Sequence, residues 1–303
     1  NDFENLKLLT DFTIQNYFPE ITLEGKTKYL AFFEAVSQKT LEMIIHWQRV
    51  GFVHGVMNTD NMSVHGITID YGPYGWQDDY NPDWTPNTTD SENRRYRFGQ
   101  QADVALWNLM QLANALYPLI NEAEPLEAIL NEFSSQYQKK YNQMMLNKIG
   151  IEETNEATIA LVKALEENLV LQETDMTIFF RNLAQVEKKD TEIMAFDRIK
   201  AAFYALEEIT ERNEATWLFW FTQYLTQLKA ATASDEERKQ KMNAVNPKYV
   251  LRNYMAQLAI EAAEKEDYNL ISELYEVLKN PYDEQTEAEK WFAKRPDWAR
   301  TKV

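Results

Sequence analysis

Glycine is confined to one part of this chain. Of its eight glycines, Gly51, Gly55, Gly66, Gly72 and Gly75 fall within 25 residues, and none follows Gly150. Glycine enters left-handed and tightly turned backbone at the least steric cost. Irregular backbone is therefore predicted between residues 51 and 75, with regular structure elsewhere. All three histidines, His46, His54 and His65, lie in or beside that window. Between Val50 and Asn93 there are also seven acids and no Lys or Arg. Any chemistry is expected there.

On both sides the pattern is helical. Phe33, Val36, Leu41, Ile44 and Trp47 recur at three-to-five-residue intervals, an apolar helix stripe that Gly51 should cap. Val104, Trp107, Met110, Ala113 and Leu116 follow a strict three-residue interval, with Leu106, Leu109 and Leu112 filling much of the remaining surface. A buried helix ended by Pro118 is predicted. From Glu122 onward the chain is charged and periodic: Ile193, Phe196, Ile199, Phe203 and Leu206 form one stripe with Asp190 as its N-cap. Asn246 and Pro247 read as an N-cap and first-turn proline opening a helix through Leu251, Met255 and Leu258. The run 217–221, Trp-Leu-Phe-Trp-Phe, reads as helical core, and the acidic run 261–267 as a solvated helix end.

Composition narrows the classes. The 303 residues exceed one average domain, and 45% hydrophobic with 13% aromatic residues excludes collagen, low-complexity polymer and wholesale disorder. Against 48 acidic residues there are only 31 basic ones, a net charge of −17. A chain of that sign repels nucleic acid and anionic membranes, so neither is expected as a partner. With no cysteine, disulfides, thiolate zinc sites and a cysteine nucleophile are excluded, and a reducing, cytoplasmic setting is the default. No basic region followed by an apolar run opens the chain, and no apolar stretch is long enough to span a bilayer.

Within the window, residues 54–61 (His-Gly-Val-Met-Asn-Thr-Asp-Asn) precede a short alternating stretch, Val64, Ile67 and Ile69, and then Asp70-Tyr71-Gly72. A loop followed by a tight hairpin turned at His65 and Gly66 is predicted. Asn61 and Asp70 suit Mg²⁺, which takes one or two protein oxygens beside waters and phosphates. The spacing resembles the protein-kinase catalytic loop, where a His precedes a metal-binding Asn by seven residues and an Asp-Phe-Gly triplet carries the second ligand. At the position of the kinase base, two residues after the His, stands Val56, which cannot take a proton. Asp60 is the nearby carboxylate able to orient or deprotonate a hydroxyl nucleophile. No Gly-x-Gly-x-x-Gly occurs, and the window supplies no cation for a phosphate cradle.

Residues 54–63, 68–75, Arg95-Tyr96 and Trp107-Asn108-Leu109, with 246–253, 281–283 and 295–298, resemble the selenoprotein O family of protein-kinase-like AMPylators. The resemblance spans most of the chain and is least distinct over 126–240. It implies transfer of AMP from ATP, bound inverted relative to kinases, to Ser, Thr or Tyr hydroxyls of proteins. It further implies that Asp60 accepts the proton and that Asn61 and Asp70 hold Mg²⁺ (with Mn²⁺ as the alternative ion), Asp70 also lying beside the nucleotide. The family's nucleotide-gripping N-terminal lobe and its short C-terminal tail with cysteine or selenocysteine have no counterpart here, so the isolated chain is expected to be inactive.

The expected fold is mainly α: a kinase-like C-lobe portion over 1–122 with a short β-hairpin at the catalytic loop, and a helical extension over 123–303 whose last segment, 246–303, returns to the lobe. Competing readings stand beside this. Asp, Asn and Gly are ordinary turn formers, and His54 serves better as a loop-orienting side chain than as ligand or base. Gly25-Lys26-Thr27 imitates a P-loop ending without its first glycine or a preceding strand. Residues 76–90 occupy the place of a kinase activation segment and also read as an ordered aromatic loop. The functional alternatives are phosphoryl transfer on the same scaffold and a non-catalytic helical interaction module.

Overall fold

The computed structural model describes residues 2–301. Among them are eleven α-helices and one pair of two-residue strands. Helix α1 (Phe3–Tyr17) leads to the long α2 (Gly25–Val50), and β1 (Phe52–Val53) and β2 (Gly75–Trp76) bracket the glycine-rich loop. Helices α3 (Gln101–Ile120), α4 (Glu124–Ile149), α5 (Glu156–Leu169), α6 (Met176–Leu183), α7 (Glu192–Ile199), α8 (Glu211–Ala230), α9 (Asp235–Val245), α10 (Asn253–Ala263) and α11 (Asn269–Lys279) follow. The mainly helical expectation holds. No helix of the described residues is long and apolar enough to cross a membrane.

Helix α2 is the axis of the first half, packing on both α3 and α4. It buries Phe32, Phe33, Val36, Leu41, Ile44 and Trp47, each side chain contributing about 1.5–3 kcal/mol of transfer free energy. Gly51 ends it as anticipated, left-handed at φ +75° with its N–H on the Trp47 carbonyl. A Cβ at Gly51 would stand 2.9 Å from Met176 Sδ, so both conformation and space require glycine.

Helix α3 departs from its prediction twice. It runs on through Pro118 to Ile120, where left-handed Asn121 caps it. A proline there, two residues from the end, removes only one hydrogen bond of the last turn. Its buried face is Ala105, Asn108, Leu109, Ala113, Leu116 and Ile120, while Trp107 and Met110 are each 40% exposed. A strict three-residue spacing slips back around a 3.6-residue helix, so one buried face cannot hold all of it.

The strands also differ from expectation. Phe52 pairs with Trp76 and Val53 with Gly75, antiparallel. The turn at His65 and Gly66 is present, with the Gly66 N–H on the Ser63 carbonyl at 3.1 Å and φ +64° at Gly66, but no ladder flanks it. Ile67 is exposed, and Thr68 and Ile69 are held by side chains of other elements rather than by a neighbouring strand.

In the helical half, α8 packs on α5 and α7, and α9 on α4. Trp217, Trp220, Phe221 and Tyr224 of α8 are buried, with Phe219 on the opposite, exposed face. The stripe predicted from Ile193 to Leu206 breaks: α7 stops at Ile199, and Ile193 and Leu206 are exposed. Its N-cap is Thr191. Asp190 instead accepts from the Glu187 N–H and pairs with Arg198 at 2.6 Å. Residues 246–252 are not helical, because Asn246 spends its amide on the Lys148 carbonyl, and Lys248 and Tyr249 donate their N–H groups to the Pro281 carbonyl. The local capping signal loses to these long-range bonds, and α10 opens only at Asn253. One buried apolar cluster runs from Ile14 to Met242, and a smaller one joins Tyr249, Tyr254, Met255, Leu274, Val277 and Trp291.

Candidate active site

The loop after β1 is held by side-chain amides. Gln101 of α3 donates to the Phe52 carbonyl (2.9 Å) and accepts from the His54 N–H (3.1 Å). Asn108, two turns further along α3, donates to the Met57 carbonyl (2.9 Å), and Asn87 donates to the Gly55 carbonyl (2.9 Å). An extended loop has no ladder to satisfy its backbone, and buried peptide groups must find partners. Sequence reading missed all three amides as site-shaping residues. The available signal was Gln101 and Asn108, polar residues seven apart on the face of α3 that also carries Ala105 and Leu109.

His54 joins the two halves of the window. It is buried, stacks on Trp47 at 5.4 Å, donates from Nε2 to the Ile69 carbonyl (2.7 Å) and accepts at Nδ1 from the Val56 N–H (3.3 Å). That assignment, set by the fact that a carbonyl only accepts and an N–H only donates, makes the ring a neutral orienting group. Trp47 Nε1 holds Thr68 at 2.9 Å. Gly55, at φ +80°, lies so close to Pro73 that a Cβ would sit 2.2 Å from its carbonyl oxygen. Residues 54–55 are thus sewn to 68–73 on both sides of Asp70.

Asp60 and Asn61 lie in a single 3₁₀ turn, Thr59–Asn61. The Asn61 amide nitrogen donates to the Val56 carbonyl at 3.0 Å, which fixes the side chain and leaves its carbonyl oxygen available. Among the described residues neither the Asp60 nor the Asp70 carboxylate has a hydrogen-bond or ion-pair partner, and both are exposed. Asp70 has φ +55°, a left-handed conformation costing an L-residue about 1–2 kcal/mol. The Gly72 N–H on the Asp70 carbonyl (2.8 Å) helps hold it. Among the described residues no three His, Asp or Glu side chains cluster as a self-sufficient metal cage. The available oxygens are of the hard kind that Mg²⁺ takes one or two at a time.

The remaining candidates are structural. His65 stacks on Phe18. Lys26 pairs with Glu122 and the Thr27 hydroxyl donates to the Glu24 carbonyl, so residues 25–27 open α2 rather than cradle phosphate. Downstream, Tyr96 donates its hydroxyl to Asn58, bringing Arg95, stacked over Trp107 at 4.7 Å, into the neighbourhood of a loop otherwise without cations.

Residues 77–80, just past β2, are anchored by the C-terminal segment. Arg252, 1% exposed, donates to Asp175 through both terminal nitrogens (2.7 and 3.0 Å) and to Asp78 (2.7 Å). Burial alone would lower its pKa, but Asp175 and Asp78 outweigh that and raise it well above the usual value. Arg295 reaches Asp78, Asp79 and Glu173, and Tyr80 donates to Glu166 of α5 at 3.1 Å. No local spacing announces these pairings.

The family model described as protein adenylyltransferase SelO matches residues 1–279. This chain belongs to the SelO family. It is 61% identical over its whole length to the protein nucleotidyltransferase YdiU of Flavobacterium johnsoniae, covering 58% of that protein. It is 48% identical to the proteins of the same name from Rhodopirellula baltica, with 99% of this chain and 58% of the relative aligned, and Aromatoleum aromaticum, with 98% and 56%. The SelO chain thus spans a little over half the length of these relatives.

Proposed function

We propose that this SelO chain carries the proton-accepting and metal-holding side of a protein adenylyltransferase built on a kinase-like C-lobe, acting with Mg²⁺ or Mn²⁺ on hydroxyl side chains of cytoplasmic proteins. The observation that carries the reading is the uncommitted state of Asp60, Asp70 and the Asn61 carbonyl oxygen. They stand on a loop whose neighbouring backbone is fixed by three amides and a histidine. A rigid scaffold presenting unpaired anionic oxygens fits a site that meets its partner only when substrate arrives. Asn61 and Asp70 would hold the divalent ion, which would neutralise phosphate charge on ATP and on the departing pyrophosphate.

Asp60 would take the proton of a Ser, Thr or Tyr hydroxyl as its oxygen bonds to the α-phosphorus. The bond from that phosphorus to the bridging oxygen breaks, and pyrophosphate leaves with the electron pair. Val56, standing where a kinase keeps its base, contributes only backbone: its N–H goes to His54 and its carbonyl receives Asn61. Cations to grip the triphosphate would come from the part of the longer protein outside this chain.

The test uses the full-length protein with ATP labelled on either the α- or the γ-phosphate. The α-label should appear on protein with release of pyrophosphate. Asp70→Ala should abolish it, and Asp60→Ala should lower kcat about 10²–10⁴-fold. Transfer of the γ-label instead would make the site a phosphotransferase. Transfer of neither, in every metal tried, would leave a helical interaction module.

A further inference from the structure

The turn that carries Asp60 and Asn61 borders a cavity. About 310 Å³ in volume, it lies between α2 and α3, walled by Val36, Ala105, Leu109 and Leu112, and on the loop side by Thr59 and Met62, the residues on either side of Asp60 and Asn61. These walls are largely apolar, and the space is at the small end for a ligand site, enough for one large side chain. The acceptor that Asp60 would serve is itself a side chain of a polypeptide, so that acceptor's neighbours must lie against the surface beside this turn.

A cation stands beside the same turn. Tyr96 donates its hydroxyl to Asn58, the residue that opens the turn, and Arg95 lies over the rings of Tyr96 (5.8 Å) and Trp107 (4.7 Å). Trp107 is four residues before Gln111, which lines the cavity, so the two are neighbours on the surface of α3. Arg97 is paired with Asp83 at 3.1 Å, and Asp90 spends its carboxylate oxygens on the N–H groups of Arg95 and Tyr96 (3.0 and 2.7 Å). Arg95 is exposed, and among the described residues its guanidinium touches the two rings and has no carboxylate partner. Stacking on a ring fixes the plane of a guanidinium and leaves its edge N–H groups open to a carboxylate. The negative charge of the whole chain does not set the partner's sign here, because exposed charges more than about 8–10 Å apart are largely screened at physiological salt. We infer that this surface reads the protein substrate: a large apolar side chain within a few residues of the acceptor hydroxyl enters the cavity, and a neighbouring acidic residue meets Arg95. The inference rests on the adenylylation reading.

The test uses the full-length protein with four pools of fluorescent peptides. Each peptide has one Ser, Thr or Tyr acceptor, and the three positions on either side of it are drawn from Leu and Glu, Ala and Glu, Leu and Gln, or Ala and Gln. Binding is read by anisotropy without nucleotide, and transfer of the α-label as kcat/KM. The Leu and Glu pool should bind and react best, each replacement weakening it at least about threefold. Arg95→Gln should remove the preference for Glu over Gln and keep that for Leu over Ala. Ala115→Phe, at an exposed position of α3 that lines the cavity, should do the reverse. Equal binding across the pools, or either preference surviving its variant, would overturn the surface, and label transfer in that case would leave adenylylation standing. The expected order of binding without any label transfer would keep the surface and remove the adenylylation reading.

Discussion

The loop of residues 52–61 and the helices from α4 to α9 are stabilised in different ways. In the loop, buried backbone groups are met one at a time by Gln101, Asn108, Asn87 and His54, and little apolar side chain is involved beyond Phe52, Val53 and Met57. In the helices the backbone satisfies itself, and the joining interactions are packed side chains such as Leu165, Phe179, Trp217, Trp220 and Leu228. Directional bonds fix atoms at chosen distances, whereas apolar burial rewards contact area with little regard to orientation. A site needs the first kind of precision and its support the second.

Arg252→Met tests the join between the two. It leaves Asp175 without its cation and Asp78 with only Arg295 at 3.6 Å, and breaking a buried pair from one side costs about 3–5 kcal/mol. Urea unfolding should show that loss together with release of residues 77–80 to proteolysis. A loss below about 1 kcal/mol would mean the cluster is dispensable.

Leu165→Ala, fully buried in α5, should cost about 2–5 kcal/mol yet leave label transfer unchanged at temperatures where the variant stays folded. Gln101→Leu should reverse that profile. It orphans the Phe52 carbonyl and the His54 N–H at about 1–3 kcal/mol for each group, and label transfer by the full-length protein should fall further than the folded fraction does. If both variants lose stability and activity in the same proportion, the distinction between the regions fails.

The smallest effect is a matter of pH. Burial raises the Glu166 carboxyl above its usual value, while hydrogen bonds from Tyr141 and Tyr80 oppose the shift without cancelling it. A carboxyl whose folded pKa exceeds its unfolded one adds stability below the unfolded value, near 4.5. That contribution is lost as pH rises through the folded value. Glu166→Gln keeps an acceptor for both tyrosines and should flatten the fall in Tm between about pH 4.5 and neutrality. An unchanged slope would place the titration elsewhere.

How much of this was legible in sequence depended on range. The loop from His54 to Asp70, the glycine cap at Gly51 and the mainly helical character are written in local spacing and composition. The hairpin expected at His65 and Gly66 was not realised, because alternation over Val64, Ile67 and Ile69 gives no strand a neighbour; Phe52 and Val53 found Gly75 and Trp76 instead. Asn246 and Pro247 carry a sound capping signal, but the Lys148 carbonyl took the asparagine. Gln101, Asn108 and Asn87 act on backbone 32 to 51 residues away, and no local rule assigns such partners. Asp60, Asn61 and Asp70 could be picked out in the sequence as candidates for chemistry. The amides that fix the surrounding backbone could not.

The pairing of Asp78 with Arg252 spans 174 residues, and this gives the molecule a timetable. During synthesis at about 5–20 residues per second, Arg252 is added roughly 9–35 s after Asp78. Throughout that interval the stretch past β2 lacks its anchor, while α2 gains α3 and α4 as soon as residue 149 has been added. The stretch past β2 is therefore expected to become rigid late, and a nascent chain halted before residue 252 should be cut between 77 and 90 while α2, α3 and α4 resist.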